Sequence, residues 1–317
     1  MRYIFCFGML FHMEFAFPTA TLEQFISPQC DRMHFIIAYL KERGVQAVVM
    51  PSDGRNHIYI VFPKSSYNQK FRIKTVLAHY DRAEGSPGAN DNSFAVCMLM
   101  NWACRLNTEN CCHNIRLIFT DGEEIGGRKA AGINQGAFSL AKMFRRLGIC
   151  GDDVFVFDCM GRGLLPVLAK VTLPHGITPQ FKKQFEDLFR RTVLLLQSAY
   201  GSPAVLPVSY SDNAGFIANG IPAVCVTMLP FEEAASYASA LMQNAALEQY
   251  VTNKKCPTGI PETVFYNSLP YTWRLFHTAD DSAQTLTAQS AAVFERILNA
   301  LSKMNTLRAE NKKGGVL

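Results

Sequence analysis

Apolar and polar positions along the chain alternate between two periods. Short β-branched and aromatic runs occur at Gln46–Met50, "HIYIVFP" (57–63), "RIKTVLAHY" (72–80), Ile115–Thr120, "VFVFDCM" (154–160), "PVLAKVT" (166–172) and "IPAVCVTM" (221–228). Each has the length of a strand. Between them lie stretches with helical spacing. One runs from Asp31 to Arg43, with Ile37, Ala38 and Leu40 on one face and Gly44 as the stop. Others cover Ser93 to Leu106, a loop and helix ending near Leu147, Pro179 to Ser198, and Ala283 to Met304, where Leu286, Val293, Ile297 and Leu301 recur. Continuous apolar strands alternating with helices predict the α/β class: a three-layer α/β/α arrangement around a central, mostly parallel mixed sheet. No repeat and no Pro/Ser-rich linker divides the chain. A single domain over residues 13–304 is therefore expected, with 305–317 as a frayed tail and an excursion at 231–270 as a lid, a dimer contact or surface decoration.

Composition narrows the function classes. A chain of 317 residues with 49% hydrophobic and 18% charged positions can bury a large core, which excludes a disordered protein. The net charge of +5 is spread thinly and lies partly in the tail "RAENKKGG", without a basic stripe interleaved with aromatics, so nucleic acid is not an expected partner. Ten cysteines without paired spacing suit reduced thiols in a cytoplasmic protein. Arg2 followed by Tyr3 to Phe11 resembles a short signal segment, interrupted by His12 and Glu14. Export is the alternative location if residues 1–20 act as a signal peptide, and Met13 is an alternative start. No run reaches the roughly eighteen apolar residues of a membrane span.

The chemistry-bearing residues fall at strand ends. "VLAHYD" closes on His79 and Asp81, "SPGANDN" supplies Asp91, "IFTDGEE" supplies Glu123 and Glu124, "VFVFDCMG" supplies Asp158, and "LFHTADDS" supplies His277, Asp280 and Asp281. Taken singly, each has an ordinary reading: a histidine satisfied by its neighbours, an aspartate capping a helix, a solvated glutamate pair. Asp158 resists that treatment, because it follows Val154 to Phe157, a strand that should be buried. A carboxylate there needs a cation or several hydrogen bonds. Parallel sheets gather their chemistry at the carboxyl ends of the strands. Two histidines and three carboxylates at such an edge suit zinc, and two ions a few ångströms apart would share a carboxylate. A second carboxylate beside them, not itself a ligand, would serve as a base.

The motifs "HYD", "GANDN", "DGEE", "FDCMG", "SYSDNAGF" and "HTADDS" occur in the order found in the co-catalytic di-zinc aminopeptidase superfamily, which includes aminopeptidase Y, glutamate carboxypeptidase II and the glutaminyl cyclases. From His79 to Ser282 the chain resembles that superfamily. The resemblance implies one zinc on His79 and Asp158, a second on Glu124 and His277, and Asp91 bridging them. It further implies Glu123 as general base, Asp81 as the partner that orients His79, and Asp281 in a supporting place. The implied activity is a metal-dependent exopeptidase acting on peptides with a free N-terminus. The alternatives are a single-zinc glutaminyl cyclase and a non-catalytic peptide-binding member. The chain departs from the superfamily's pattern in three places, the first bearing on substrate preference and the third being the long 231–270 excursion. Asn213 stands where many relatives carry His after "SD", and the segment after Glu124 lacks the common Gly-Ser. The resemblance fixes neither the preferred side chain nor the oligomeric state.

Overall fold

The computed structural model describes residues 18–109, 111–124, 135–173, 176–253 and 261–308. Its strands are β1 (Gln46–Ser52), β2 (Arg55–Val61), β3 (Lys74–His79), β4 (Ile115–Thr120), β5 (Asp153–Phe157), β6 (Leu165–Lys170), β7 (Ala204–Pro207) and β8 (Ala223–Leu229). They form one sheet in the order β1-β2-β4-β3-β5-β8-β6-β7. The central four, β4, β3, β5 and β8, run parallel. At one edge β1 and β2 join antiparallel; at the other, β6 runs antiparallel to β8 and carries β7 parallel to itself. The predicted mixed, mostly parallel sheet flanked by helices is the observed one.

The period of two along each strand explains the layers. Val76 and Ala78, Leu117 and Phe119, Phe155 and Phe157, and Val224 and Val226 enter one core. Their neighbours Leu77, Ile118, Val154, Val156, Ala223 and Cys225 enter the opposite core. The first core is covered by α1 (Thr19–Ile26), α2 (Arg32–Glu42), α3 (Phe94–Thr108) and α11 (Ser290–Lys303). The second lies under α4 (Gly136–Arg146) and α6 (Asn213–Ala218). The long α5 (Pro179–Tyr200) gives Leu188 and Leu195 to the first and Phe181 and Phe185 to the second. Because both faces are buried, the central strands read as unbroken apolar runs.

Helix boundaries follow local chemistry. Asp31 caps α2 by accepting from the His34 N–H at 3.1 Å, and Gly44 stops the chain just beyond the helix at φ +72°. The buried face of α2 is Ile36, Tyr39 and Leu40, whereas Ala38 is exposed. The last helix starts at Ser290, seven residues later than the periodicity suggests. The Thr287 N–H donates to Gly161 O at 2.8 Å, and its hydroxyl accepts from the Gly163 N–H at 2.9 Å. Those bonds hold the stretch before Ser290 on the turn after β5 and outside the α-helix, with a single 3-10 turn at Ala283–Thr285.

Residues 231–270 become α7 (Phe231–Gln243), α8 (Ala245–Asn253) and α9 (Glu262–Asn267), followed by α10 (Tyr271–Arg274); residues 254–260 lie outside the described set. These helices close a third core of Tyr237, Leu247, Phe265 and Trp273 over Val167 and Leu206. The excursion departs from the carboxyl end of β8, the edge at which β3, β4 and β5 also end. Of the expected tail, residues 306–308 pair with residues 70–72 through Arg72 N–H to Thr306 O and Arg308 N–H to Lys70 O. Residues 1–17, with the signal-like segment, and 309–317 lie outside the described residues. No described helix is long and apolar enough to cross a membrane.

Candidate metal centre

Register brings the strand-end residues together. His79 ends β3 opposite Thr120 of β4. Continuing the β3–β5 register two residues past the Leu77–Val156 pair sets Asp158 level with His79. The loop before α3 brings in Asp91, and the turn after α10 brings in His277. Asp91 Oδ1 lies 3.2 Å from His79 Nε2, and Asp91 Oδ2 lies 3.4 Å from His277 Nε2. Asp158 Oδ1 is 3.5 Å from His79 Nε2, and Glu124 Oε2 is 3.0 Å from His277 Nε2. Two donor sets result, His79–Asp91–Asp158 and Asp91–Glu124–His277, each with its donor atoms within 4.8 Å of one another. All five expected ligands meet, and Asp91 belongs to both sets. Glu123 joins His79 and Glu124 in a third, overlapping set.

The surrounding hydrogen bonds fix these groups. Asp81 accepts from the N–H of Glu123 at 3.2 Å and of Glu124 at 2.8 Å, and lies 3.4 Å from His79 Nδ1. One carboxylate thus sets both the glutamate pair and the histidine. The fully buried Asp281 accepts from the N–H of Asn90 at 2.8 Å and of Asp91 at 3.0 Å, so "HTADDS" holds the Asp91 loop, while Asp280 is exposed. Asn90 Oδ1 accepts from Gly161 N–H at 2.7 Å. Asn92 donates to Phe157 O at 2.9 Å and accepts from Cys159 N–H at 3.2 Å. These two asparagines staple the Asp91 loop to the Asp158 turn, a role that spacing alone does not distinguish from capping. The Asp91–Asn92 peptide bond is cis. Gln135 carries no signal in the sequence that marks it as part of this site. It is buried, and its Nε2 donates to Glu123 Oε1 at 3.0 Å. Gly136, which follows, seats its backbone against β4: a Cβ there would stand 1.7 Å from Asp121 O. Residues 125–134, where the common Gly-Ser was missed, lie outside the described residues.

Among the described residues, four non-glycine ones take the left-handed backbone, and two of these are Cys159, next to Asp158, and His277 itself, at φ +56° and +60°. Such strain persists where the surroundings enforce a side-chain direction. Electrostatics agree. Both nitrogens of the fully buried His79 and Glu124 Oε1 are buried without a hydrogen-bond partner. Burial pushes Glu123 well above the ordinary carboxylate range, with Glu124, Asp158 and Asp91 adding to the effect against His79. Burial, helped by Asp91, lifts Glu124 to about 7. Hydrogen bonds to Asp91 and Glu124 raise His277 to about 10. Burial works against a proton on His79, yet Asp158, Asp81 and Asp91 raise its pKa well above the usual imidazole value. So many carboxylates around two imidazoles, with orphaned buried donors, fit a divalent cation with nitrogen and oxygen ligands.

The donor sets open into a cleft of about 410 Å³. Besides Asp91, Glu123, Glu124, Asp158 and His277, its walls include Tyr250, Val251, Tyr266, Leu269 and Trp273, so the 231–270 excursion forms part of the site. Asn213 does not line it. That residue is buried, and its Oδ1 accepts from the Ser211 N–H at 3.3 Å. The expectation that Asn213 bears on the substrate is corrected accordingly: the side chain is spent on its own turn. Its neighbour Asp212 is fully buried, accepts from the Thr120 hydroxyl, and is raised to about 6 by burial.

Two overlapping sets of metal donors at the strand ends of an α/β sheet define a protein built to hold metal at that edge. Residues 58–302 match peptidase family M28, and the chain belongs to that family. No curated protein matches by sequence. Among solved structures, the Legionella pneumophila LapA aminopeptidase has a TM-score of 0.59 at 16% identity, over 89% of this chain and 69% of its own. The glutaminyl cyclase of Porphyromonas gingivalis has a TM-score of 0.57 at 16% identity, over 90% and 96%. That of Tannerella forsythia has a TM-score of 0.57 at 15% identity, over 91% and 99%. At these identities the likeness establishes the fold.

Proposed function

We propose that the protein is a di-zinc exopeptidase that hydrolyses the N-terminal bond of peptides. The observation that carries this reading is Asp91, whose two oxygens face His79 on one side and His277 on the other, so that each donor set is complete only by sharing it. His79 and Asp158 would hold one ion, Glu124 and His277 the other, and Asp91 both. Zinc, when bound, supplies Lewis acidity to water and to the peptide carbonyl.

The chain's own groups supply the rest. Glu123, buried and held through Oε1 by Gln135, takes the proton of the attacking water and returns it to the leaving amine. Asp81 lies 3.4 Å from His79 Nδ1, on the side away from Asp91 and Asp158, where it would orient the ring so that Nε2 faces them. Val251, Leu269 and Trp273 of the cleft wall give the side chain of the first residue an apolar surface to pack on. The location remains the cytoplasm, on the thiol content alone.

The deciding experiment combines metal analysis with a substrate panel. Two zincs per chain and release of aminoacyl fluorophores are the expected results. One zinc, with conversion of Gln-initiated peptides to pyroglutamate and no amino-acid release, would assign the cyclase reaction instead. Peptide binding with neither reaction would leave a non-catalytic member.

Zinc binding is further expected to depend on pH. His277, held up at about 10, carries a proton at neutral pH, and Glu124, at about 7, is partly protonated. A ligand must shed its proton to coordinate, so affinity rises with pH until those groups are bare. Calorimetry of zinc binding near pH 7 in buffers of different ionisation enthalpy should show protons released. An affinity flat between about pH 6 and 9 would contradict this.

A further inference from the structure

Arg274 ends α10 and lines the cleft beside Trp273 and His277. Among the described residues, three arginines keep a buried Nε without an acceptor: Arg32, Arg105 and Arg274. Arg32 uses its other nitrogens on the carbonyls of Tyr80, Asp81 and Pro87 and on the Ser93 hydroxyl. Arg105 bonds Glu295 and Asn299. Arg274 keeps its Nε buried without an acceptor, and its guanidinium lies over the Tyr271 ring at 5.4 Å. Its neighbour across the shared Tyr271 ring, Arg162, is fully engaged with Glu233, Thr272 and Thr285.

The backbone around Arg274 is nevertheless pinned. Its N–H donates to Pro270 O at 3.2 Å, and its carbonyl accepts from Tyr266 OH at 3.1 Å. The acids of the cleft are committed elsewhere. Asp91 and Glu124 face His277, Gln135 binds Glu123, and Glu262 accepts from Tyr250 OH at 3.0 Å. A buried guanidinium N–H with no acceptor is costly to maintain, and the planar fork that carries it matches a carboxylate.

We propose that Arg274 binds a carboxylate of the substrate, so that the cleft takes peptides carrying an anion close to the reacting N-terminus. That anion is the α-carboxylate of a very short peptide or an acidic side chain. The inference rests on the metal centre being where the N-terminal end reacts, and it specifies what is recognised beyond that end.

The test uses zinc-loaded protein and uncleavable probes, so that it does not depend on turnover. A Leu-Ala analogue with a CH2–NH group in place of the peptide bond is compared, as free acid and as C-terminal amide, with the Glu-Ala analogue as amide. Binding is read by calorimetry. A probe that places its carboxylate against Arg274 should bind on the order of tenfold or more tightly than the neutral Leu-Ala amide. An advantage of the free acid identifies the α-carboxylate, and an advantage of the Glu probe identifies a side chain. Arg274→Gln should remove the difference, with zinc content as in wild type. Arg274→Lys, which keeps the charge and loses the fork, should retain part of it. Equal binding of all three probes, or a difference that survives Arg274→Gln, overturns the proposal. Discrimination among the probes with no release of leucine from Leu-Ala keeps the carboxylate site and sinks the hydrolytic reading.

Discussion

Glu123→Gln is expected to keep its zinc and to lose at least about a hundredfold in kcat, the usual scale for a general base. The change is nearly isosteric. The amide oxygen still accepts from Gln135, and the backbone N–H groups of residues 123 and 124 still reach Asp81. What disappears is the proton acceptor. Glu124→Gln makes the contrast, because Glu124 Oε2 faces His277 within one donor set. That variant should lose metal from its set along with activity. Adjacent residues of the same type thus separate by zinc stoichiometry measured beside kcat. Full activity in Glu123→Gln would remove Glu123 from the mechanism, and loss of zinc in it would make Glu123 a ligand.

Much of this site was legible in the sequence, for a physical reason. A parallel strand buried on both faces leaves polar residues nowhere to go except its end, so His79, Glu123, Glu124 and Asp158 stand out against apolar runs. The supporting residues do not stand out. Asn90 and Asn92 have the composition of a helix cap, and only the fold shows their bonds reaching Gly161 and Phe157. Gln135 stands just before a helix, and only the fold shows its side chain reaching Glu123, 12 residues back. In the fold, the short β7 and α6 display no measurable period. The last helix was predicted too long because Leu286 does pack against the core, at helical spacing but from a turn tied to Gly161 and Gly163. Asn213 shows the opposite error, in which a position in a recognised motif was given a place near the substrate while its side chain serves its own turn.

The bridging place of Asp91 predicts the largest effect on metal. Asp91→Asn should weaken zinc at both positions, on the order of a hundredfold or more, while His277→Ala should chiefly empty one. The near-isosteric amide cannot offer an oxygen to both sides, since one of its two atoms is now an N–H donor. The loop itself should hold, because Asp281 binds the backbone N–H groups of residues 90 and 91 and not the Asp91 side chain. Melting temperature alone would mislead. Without metal, Asp91 lies between two histidines whose pKa values its charge helps to raise, and its own pKa is depressed by them against the effect of burial. Removing that anion therefore destabilises the metal-free protein as well, so zinc stoichiometry against free zinc concentration is the deciding measurement. Loss of a single ion from Asp91→Asn, with the other bound at wild-type affinity, would show that the two donor sets do not share this carboxylate, and the bridging role of Asp91 would fall.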